Sequence, residues 1–214
     1  MTNFIPIFPL SIVVYPGEEL NLHIFEPRYK QLVKDCFEGK KPFGVPAVIN
    51  DKISEMGTMI EITEISKEYE DGKMDIKTKG LGVFKILEVI KELPDKLYSG
   101  AIVTYPANKM TGGKQELMKL ILHGLREIYN RLNIARDFKT ADENLVSYDV
   151  AHHAGMSIED EYLLLELLQE LQRQEFLKRH LAKVLPVMAQ MDLLKGKIKL
   201  NGHFKNLEGF KFKS

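Results

Sequence analysis

Hydrophobic and polar positions change their period once along this chain. In the N-terminal half they come in short, alternating runs punctuated by proline and glycine. "FIPIFPL" and "SIVVY" are apolar, Pro16-Gly17 turns the chain, and Leu20, Leu22 and Ile24 then share one strand face. "FGVPAVI", "GTMIEITEIS", "KMDIKTKG", "GVFKILEVI" and "YSGAIVTY" follow, each short enough for a strand. In "MIEITEI", Ile60 and Ile62 alternate with Glu61 and Thr63, which gives one dry face and one wet face. Asp71-Gly72 signals a tight two-residue hairpin turn. Strands at this spacing predict a small antiparallel barrel or sandwich, with the prolines of "IPIFP" and "GVPAV" at edges or bulges.

One helix interrupts the strands. From Pro27 the apolar positions are Tyr29, Leu32, Val33, Cys36 and Phe37, one face of a helix that Gly39 is placed to end with a left-handed cap. Pro27 suits the first helical position, and Glu26 lies at the positive end of the helix dipole.

From Gly113 the period becomes helical. Leu117, Leu120, Ile121, Leu125, Ile128 and Leu132 form a stripe. A second helix is expected from Asp142 through Leu145, Val146, Val150 and Ala154, ending at Gly155. Ser157 with Asp160 resembles a capping box. The leucine-rich run that follows is either one long helix or two stacked ones, kinked or ended at Pro186. Helices apolar nearly all round are buried against others, so a bundle is predicted. "TYPANKMTGG" is the best linker, which divides the chain into a β-rich part (1–108), a helical part (109–200) and a basic tail (201–214).

Composition narrows the functional classes. Lys+Arg and Asp+Glu both total 30, a balance that disfavours a dedicated nucleic-acid binder. The single cysteine, Cys36, forms no internal disulfide and sits on an apolar helix face beside Asp35, a poor setting for a nucleophile. The N-terminus has no basic region followed by a long apolar core, and no apolar run approaches the ~20 residues of a membrane helix. A cytoplasmic chain without a membrane segment is expected. His152 and His153 are adjacent, so their rings diverge. Asp149 precedes His153 by four, but two ligands without a third do not make a metal site. His23 is out of phase with Leu22 and Ile24 and reads as a solvent-facing or barrel-capping residue. The tail carries six lysines and one acid from Lys195 to Ser214, with Phe204, Phe210 and Phe212 interleaved. Such a tail either binds single-stranded nucleic acid or is plainer, a flexible tail or one whose phenylalanines dock on the chain's own body, and the zero net charge favours the plainer account.

The junction "IFEPRY" concentrates the candidate site residues: Phe25, Glu26, Arg28 and Tyr29. Glu26 and Arg28 can anchor polar ends of a ligand beside an aromatic face, or fix the corner between strand and helix. Helix-start chemistry favours the corner and leaves Arg28 least explained.

The stretch "IPIFPLSIVVYPGEELNLHIFEPRYKQLVKD" resembles the opening of the N-terminal substrate-binding domain of Lon proteases. "FGV", "GTMIEI", "DGKMDIKTKGLGVFKILEV" and "SYDVAHHAGMSIEDEYLLLELL" continue the likeness, which runs from about Phe4 to Met191. Gly82-Val83 departs from it where the family commonly carries basic residues, and Gln172 where an aspartate often caps the last helix. The resemblance implies an α+β fold: a PUA-like β pseudo-barrel with one inserted helix, followed by a helical bundle. It implies no cofactor. The ATPase and protease modules of Lon have no counterpart here. In the one Walker-like string, "TGGKQE", Gln115 replaces the Mg²⁺-binding Ser/Thr and Asn108 the first Gly. The implied role is noncatalytic binding of exposed or unfolded polypeptide, with a separate protease or chaperone as candidate partner. The alternative is a PUA-like module for RNA or a small ligand.

Overall fold

The computed structural model describes residues 3–135, 138 and 140–203, with side chains to 195 in the last helix. Six strands, β1 (Asn3–Pro6), β2 (Glu19–Ile24), β3 (Phe43–Ile49), β4 (Lys52–Glu68), β5 (Met74–Ile90) and β6 (Gly100–Thr104), form one antiparallel sheet. Its order is β1-β6-β5-β4-β3, and β2 adds to the first half of β5. Residues just after β1 close the sheet on itself: Ile7 bridges Gly44 and Leu10 bridges Ala47 in parallel. The architecture is therefore α+β, a closed antiparallel sheet with one inserted helix, followed by a helical region.

Local chemistry explains most elements. The helix α1 (Pro27–Glu38) starts with proline at its first position and buries Tyr29, Leu32, Val33 and Cys36. Leu32 and Val33 are fully enclosed, worth ~1.5–3 kcal/mol each. Phe37, expected on the same face, is exposed instead. The left-handed residue falls on Lys40 and not on Gly39, whose φ is −76°. Strands β4 and β5 are single long elements, where the sequence suggested β5 as two. Their connection is also longer than a two-residue turn. Tyr69 N–H pairs with Lys73 O and Gly72 N–H with Tyr69 O, and Gly72 takes the left-handed position at φ +73°. The run 11–15 is not a strand. It buries Val13, Val14 and Tyr15, and its backbone is held by side chains, with Thr58 Oγ1 donating to Val14 O.

The helical part comprises α2 (Gln115–Leu132), α3 (Ser147–Val150), α4 (Ile158–Glu166) and α5 (Glu170–His203). In α2, Leu120 and Leu132 of the expected stripe are exposed, and Met118, Leu122 and Tyr129 are buried in their place. The helix expected over 142–154 is three short turns, with Gly155 at φ +66° after them. Ser157 caps α4 by accepting the Asp160 N–H at 3.2 Å. The leucine-rich run is two helices, broken at 167–169. Helix α5 then continues through Pro186, with Val184, Leu185 and Met188 packed on the core around it. Residues 201–203 extend α5, and the rest of the basic tail lies outside the described residues. One core cluster spans both parts: Val13, Tyr15, Ala47, Met56 and Val83 from the sheet side pack with Ile121, Leu125, Leu164 and Leu177.

Candidate functional site

A bulge lies midway along β5. Leu81 and Gly82 together oppose Met59 alone, a bulge between the pairs Thr58–Val83 and Ile60–Gly80. Gly80, just before it, lies so close to the preceding turn that a Cβ would sit 2.3 Å from Tyr15 O. The bulge opens a surface cleft of about 400 Å³, lined by Pro42, Met59, Leu81, Val83, Tyr105 and Pro106, with Gly82 and Asn108 completing it. Leu81 and Tyr105 are exposed at its rim. Its walls are β4 and β5 on one side and the linker after β6 on the other.

That linker is held by a buried polar hub. Arg173 of α5 is fully buried and all five of its N–H groups are used. Nε donates to Ser147 Oγ (2.9 Å), Nη1 to Asn108 Oδ1 (2.9 Å) and Leu167 O (2.7 Å), and Nη2 to Lys109 O (2.8 Å) and Glu170 Oε2 (2.9 Å). The guanidinium also lies 4.1 Å from the Tyr148 ring centre. Glu170 in turn accepts from Ser147 N–H and Oγ–H and from Gln174 Nε2. The hub thus fixes Asn108, one wall of the cleft, against the bundle. Sequence reasoning missed it: the (i, i+3) spacing of Glu170 and Arg173 was the only local sign, and their other partners lie far off in sequence.

A second polar contact crosses from sheet to bundle. His152 sits with Nδ1 2.8 Å from Glu161 Oε1 and Nε2 3.1 Å from Glu18 Oε2, and its ring lies 4.7 Å from that of Tyr15. Burial by itself lowers the imidazole pKa, but the hydrogen bonds and charges of the two carboxylates outweigh it and push it up to about 9. A raised folded pKa stabilises the fold fully below the ordinary value of 6.5, and the contribution is lost as pH rises through about 9. The imidazole is about one-third exposed, so screening reduces it to ~1–2 kcal/mol. Calorimetric melting should therefore fall by a few degrees from neutral pH to about pH 9, and less in His152→Gln. Equal slopes in the two proteins would exclude the clamp.

Asp149 accepts the Val146 N–H, and His153 lies against the rings of Phe138 and Tyr129. Among the described residues no three His, Cys, Asp or Glu side chains are grouped to hold a metal ion. Burial, then the Asp35 charge, push the Cys36 thiol up to about 11, so it is protonated at neutral pH. His23 is exposed and paired with Asp75 at 2.6 Å.

The "IFEPRY" residues form an exposed corner. Phe25 is 58% exposed. Arg28 donates to Glu26 at 2.8 Å through Nε and lies 4.5 Å from the ring centre of Tyr29, which is itself buried against Phe8. With both charged side chains open to solvent, the pair is worth ~0–1 kcal/mol.

The model of one family, the ATP-dependent protease La (LON) substrate-binding domain, matches residues 5–183. The chain belongs to this family. Two Lon-type structures share its fold. The Lon N-terminal domain protein from Xanthomonas campestris superposes with TM-score 0.62 at 21% identity, over 81% of this chain and 95% of that one. The N-terminal domain of Mycobacterium avium complex Lon protease gives 0.60 at 12%, over 84% and 98%. A curated relative, cereblon from Gallus gallus, is 31% identical over 90 residues, 40% of this Lon-type chain and 20% of that protein. The aligned stretch spans about a fifth of cereblon's length. No helix among the described residues of the Lon-type chain is long and apolar enough to cross a membrane.

Proposed function

We propose that this Lon-type chain is a noncatalytic module that binds exposed or unfolded polypeptide and acts beside a separate protease or chaperone. The observation that carries this reading is the open cleft at the β5 bulge, because it offers apolar surface in a concave, solvent-accessible place. Exposed or unfolded chains present apolar side chains that folded proteins bury, and a pocket of this size accepts one large side chain at a time. The described polar groups speak for binding without chemistry, since Arg173, Glu170 and His152 are all engaged in holding elements together.

Gly82 gives a direct test, because a Cβ built there has nothing within 4 Å. Gly82→Arg should leave melting within ~0.5 kcal/mol of the wild type while setting a cation at the apolar cleft. Its affinity for a reduced, alkylated model protein should fall about fivefold or more, read by fluorescence anisotropy. Unchanged affinity would remove the cleft from the account.

A further inference from the structure

Topology decides which strands lack a neighbour. Among the stretches paired on one side only, which include β1 and the far ends of β4 and β5, two flank the first half of β5. One is the outer side of β2, which pairs with β5 alone. The other is β4 beyond Ile60, where its pairing with β3 ends. The two edges differ in chemistry. The β4 stretch shifts register between Ile62 and Glu64 and again between Ile65 and Lys67, and it carries Glu61, Glu64, Lys67 and Glu68. Bulges and charges are the means by which native sheets prevent a further strand from adding. In contrast, β2 pairs with Lys79–Met74 residue for residue, with no shift and with Glu19 as its one acidic or basic residue apart from His23.

The free backbone groups of β2 follow from its ladder. Gly80 N–H donates to Glu18 O at 2.7 Å. Residues of an antiparallel pair alternately bond the partner and turn both backbone groups away. Glu18, Leu20, Leu22 and Ile24 therefore address β5, and Glu19, Asn21 and His23 present N–H and C=O to the open side. Side chains alternate as well. Leu20 and Leu22 are half-buried and pack on the core beneath α1, whereas Glu19, Asn21 and His23 are exposed. Exposed Phe25 stands just past the strand's end.

We propose that the outer edge of β2 accepts an extended polypeptide segment as an added strand. The segment alternates apolar and polar residues. Its apolar residues continue the row of Leu20 and Leu22, and its polar residues stand opposite Asn21 and His23, with a basic one matched to Glu19. Main-chain hydrogen bonds are indifferent to sequence, and unpaired extended segments belong to exposed or unfolded chains. The proposal thus says how the ligand class of the proposed function is held, and it rests on that reading.

Asn21 provides the test, because its N–H points to the open side. Proline is tolerated at such edge positions, so Asn21→Pro removes the donor and spares the ladder to β5. The probe is a labelled peptide of alternating Val and Lys, titrated against the full chain. Asn21→Pro should weaken binding roughly tenfold or more, while Asn21→Ala binds as the wild type does. Peptides N-methylated on alternate residues keep the test independent of the variant's folding. Methylation of one alternate set should abolish binding to the wild-type chain, and methylation of the other set should leave it intact. Equal binding of both methylated peptides, or wild-type affinity in a folded Asn21→Pro protein, overturns the edge and leaves the cleft reading standing. A wild-type dimer that Asn21→Pro dissociates assigns the edge to a second copy and overturns the proposal too. If the wild type binds neither peptide nor unfolded protein, the functional reading falls along with the edge.

Discussion

Arg173→Met should lower stability by ~3–5 kcal/mol, the cost of breaking a buried ion pair by removing one partner. The side chain is fully buried, so every one of its five donors is lost at once from Ser147, Asn108, Leu167, Lys109 and Glu170. Methionine fills much of the volume but leaves the Glu170 carboxylate, 2% exposed, without its cation. For a chain of this size the melting temperature should drop by about 10 °C. The double variant Arg173→Met/Glu170→Met should recover part of that loss, since it no longer buries an unpaired charge. A single-variant fall of less than about 2 °C would contradict the hub's role. Because Asn108 is both a hub partner and part of the cleft, the single variant should also weaken polypeptide binding at temperatures where it remains folded.

Phe84→Ala should be comparably severe, at ~3–5 kcal/mol. The ring is fully buried, in a slot made by two glycines: a Cβ on Gly44 would approach it to 2.8 Å and one on Gly57 to 2.6 Å. Neither glycine has a side chain to fill the cavity. The two differ in what else they touch. Besides Phe84, a Cβ at Gly44 meets the end of the Ile5 side chain, whereas one at Gly57 meets the backbone of Val45 and Pro46. Gly44→Ala should therefore destabilise the wild type yet partly rescue Phe84→Ala. Gly57→Ala should destabilise both. Denaturant melts of the three single and two double variants separate these outcomes, and a rescue by Gly57→Ala would refute the packing.

Alternation and helical stripes made much of this fold legible. Leu20, Leu22 and Ile24 do share the inner face of β2, and the (i, i+3, i+4) set Tyr29, Leu32, Val33 and Cys36 does face the core. What the pattern left undetermined depends on distant partners. In α2 the burial of Met118, Leu122 and Tyr129 instead of Leu120 and Leu132 reflects packing on α5 and on the turns around Tyr148. The break at 167–169 has no proline or glycine to announce it. It exists because Lys109 N–H binds Leu168 O at 2.8 Å and Arg173 takes Leu167 O. Arg173 itself, within "LQRQEF", has the local look of a solvent-facing helix residue. Gly80 and Gly82 within a strand pattern were the local sign of a bulge, but they read as a break between two strands, and the cleft was missed. The "IFEPRY" corner drew attention as a motif, and its charged pair turned out to be solvent-exposed.

The central claim is that this Lon-type chain recognises polypeptide by its exposed, extended and apolar character. The most direct measurement compares one model protein in two states, native and reduced-alkylated, titrated against the full chain by anisotropy at equal ionic strength. The account predicts saturable binding of the unfolded form at least about tenfold tighter than that of the native form, with the bound polypeptide recovered chemically intact. Equal affinity for both states, or cleavage of the bound chain, would contradict it.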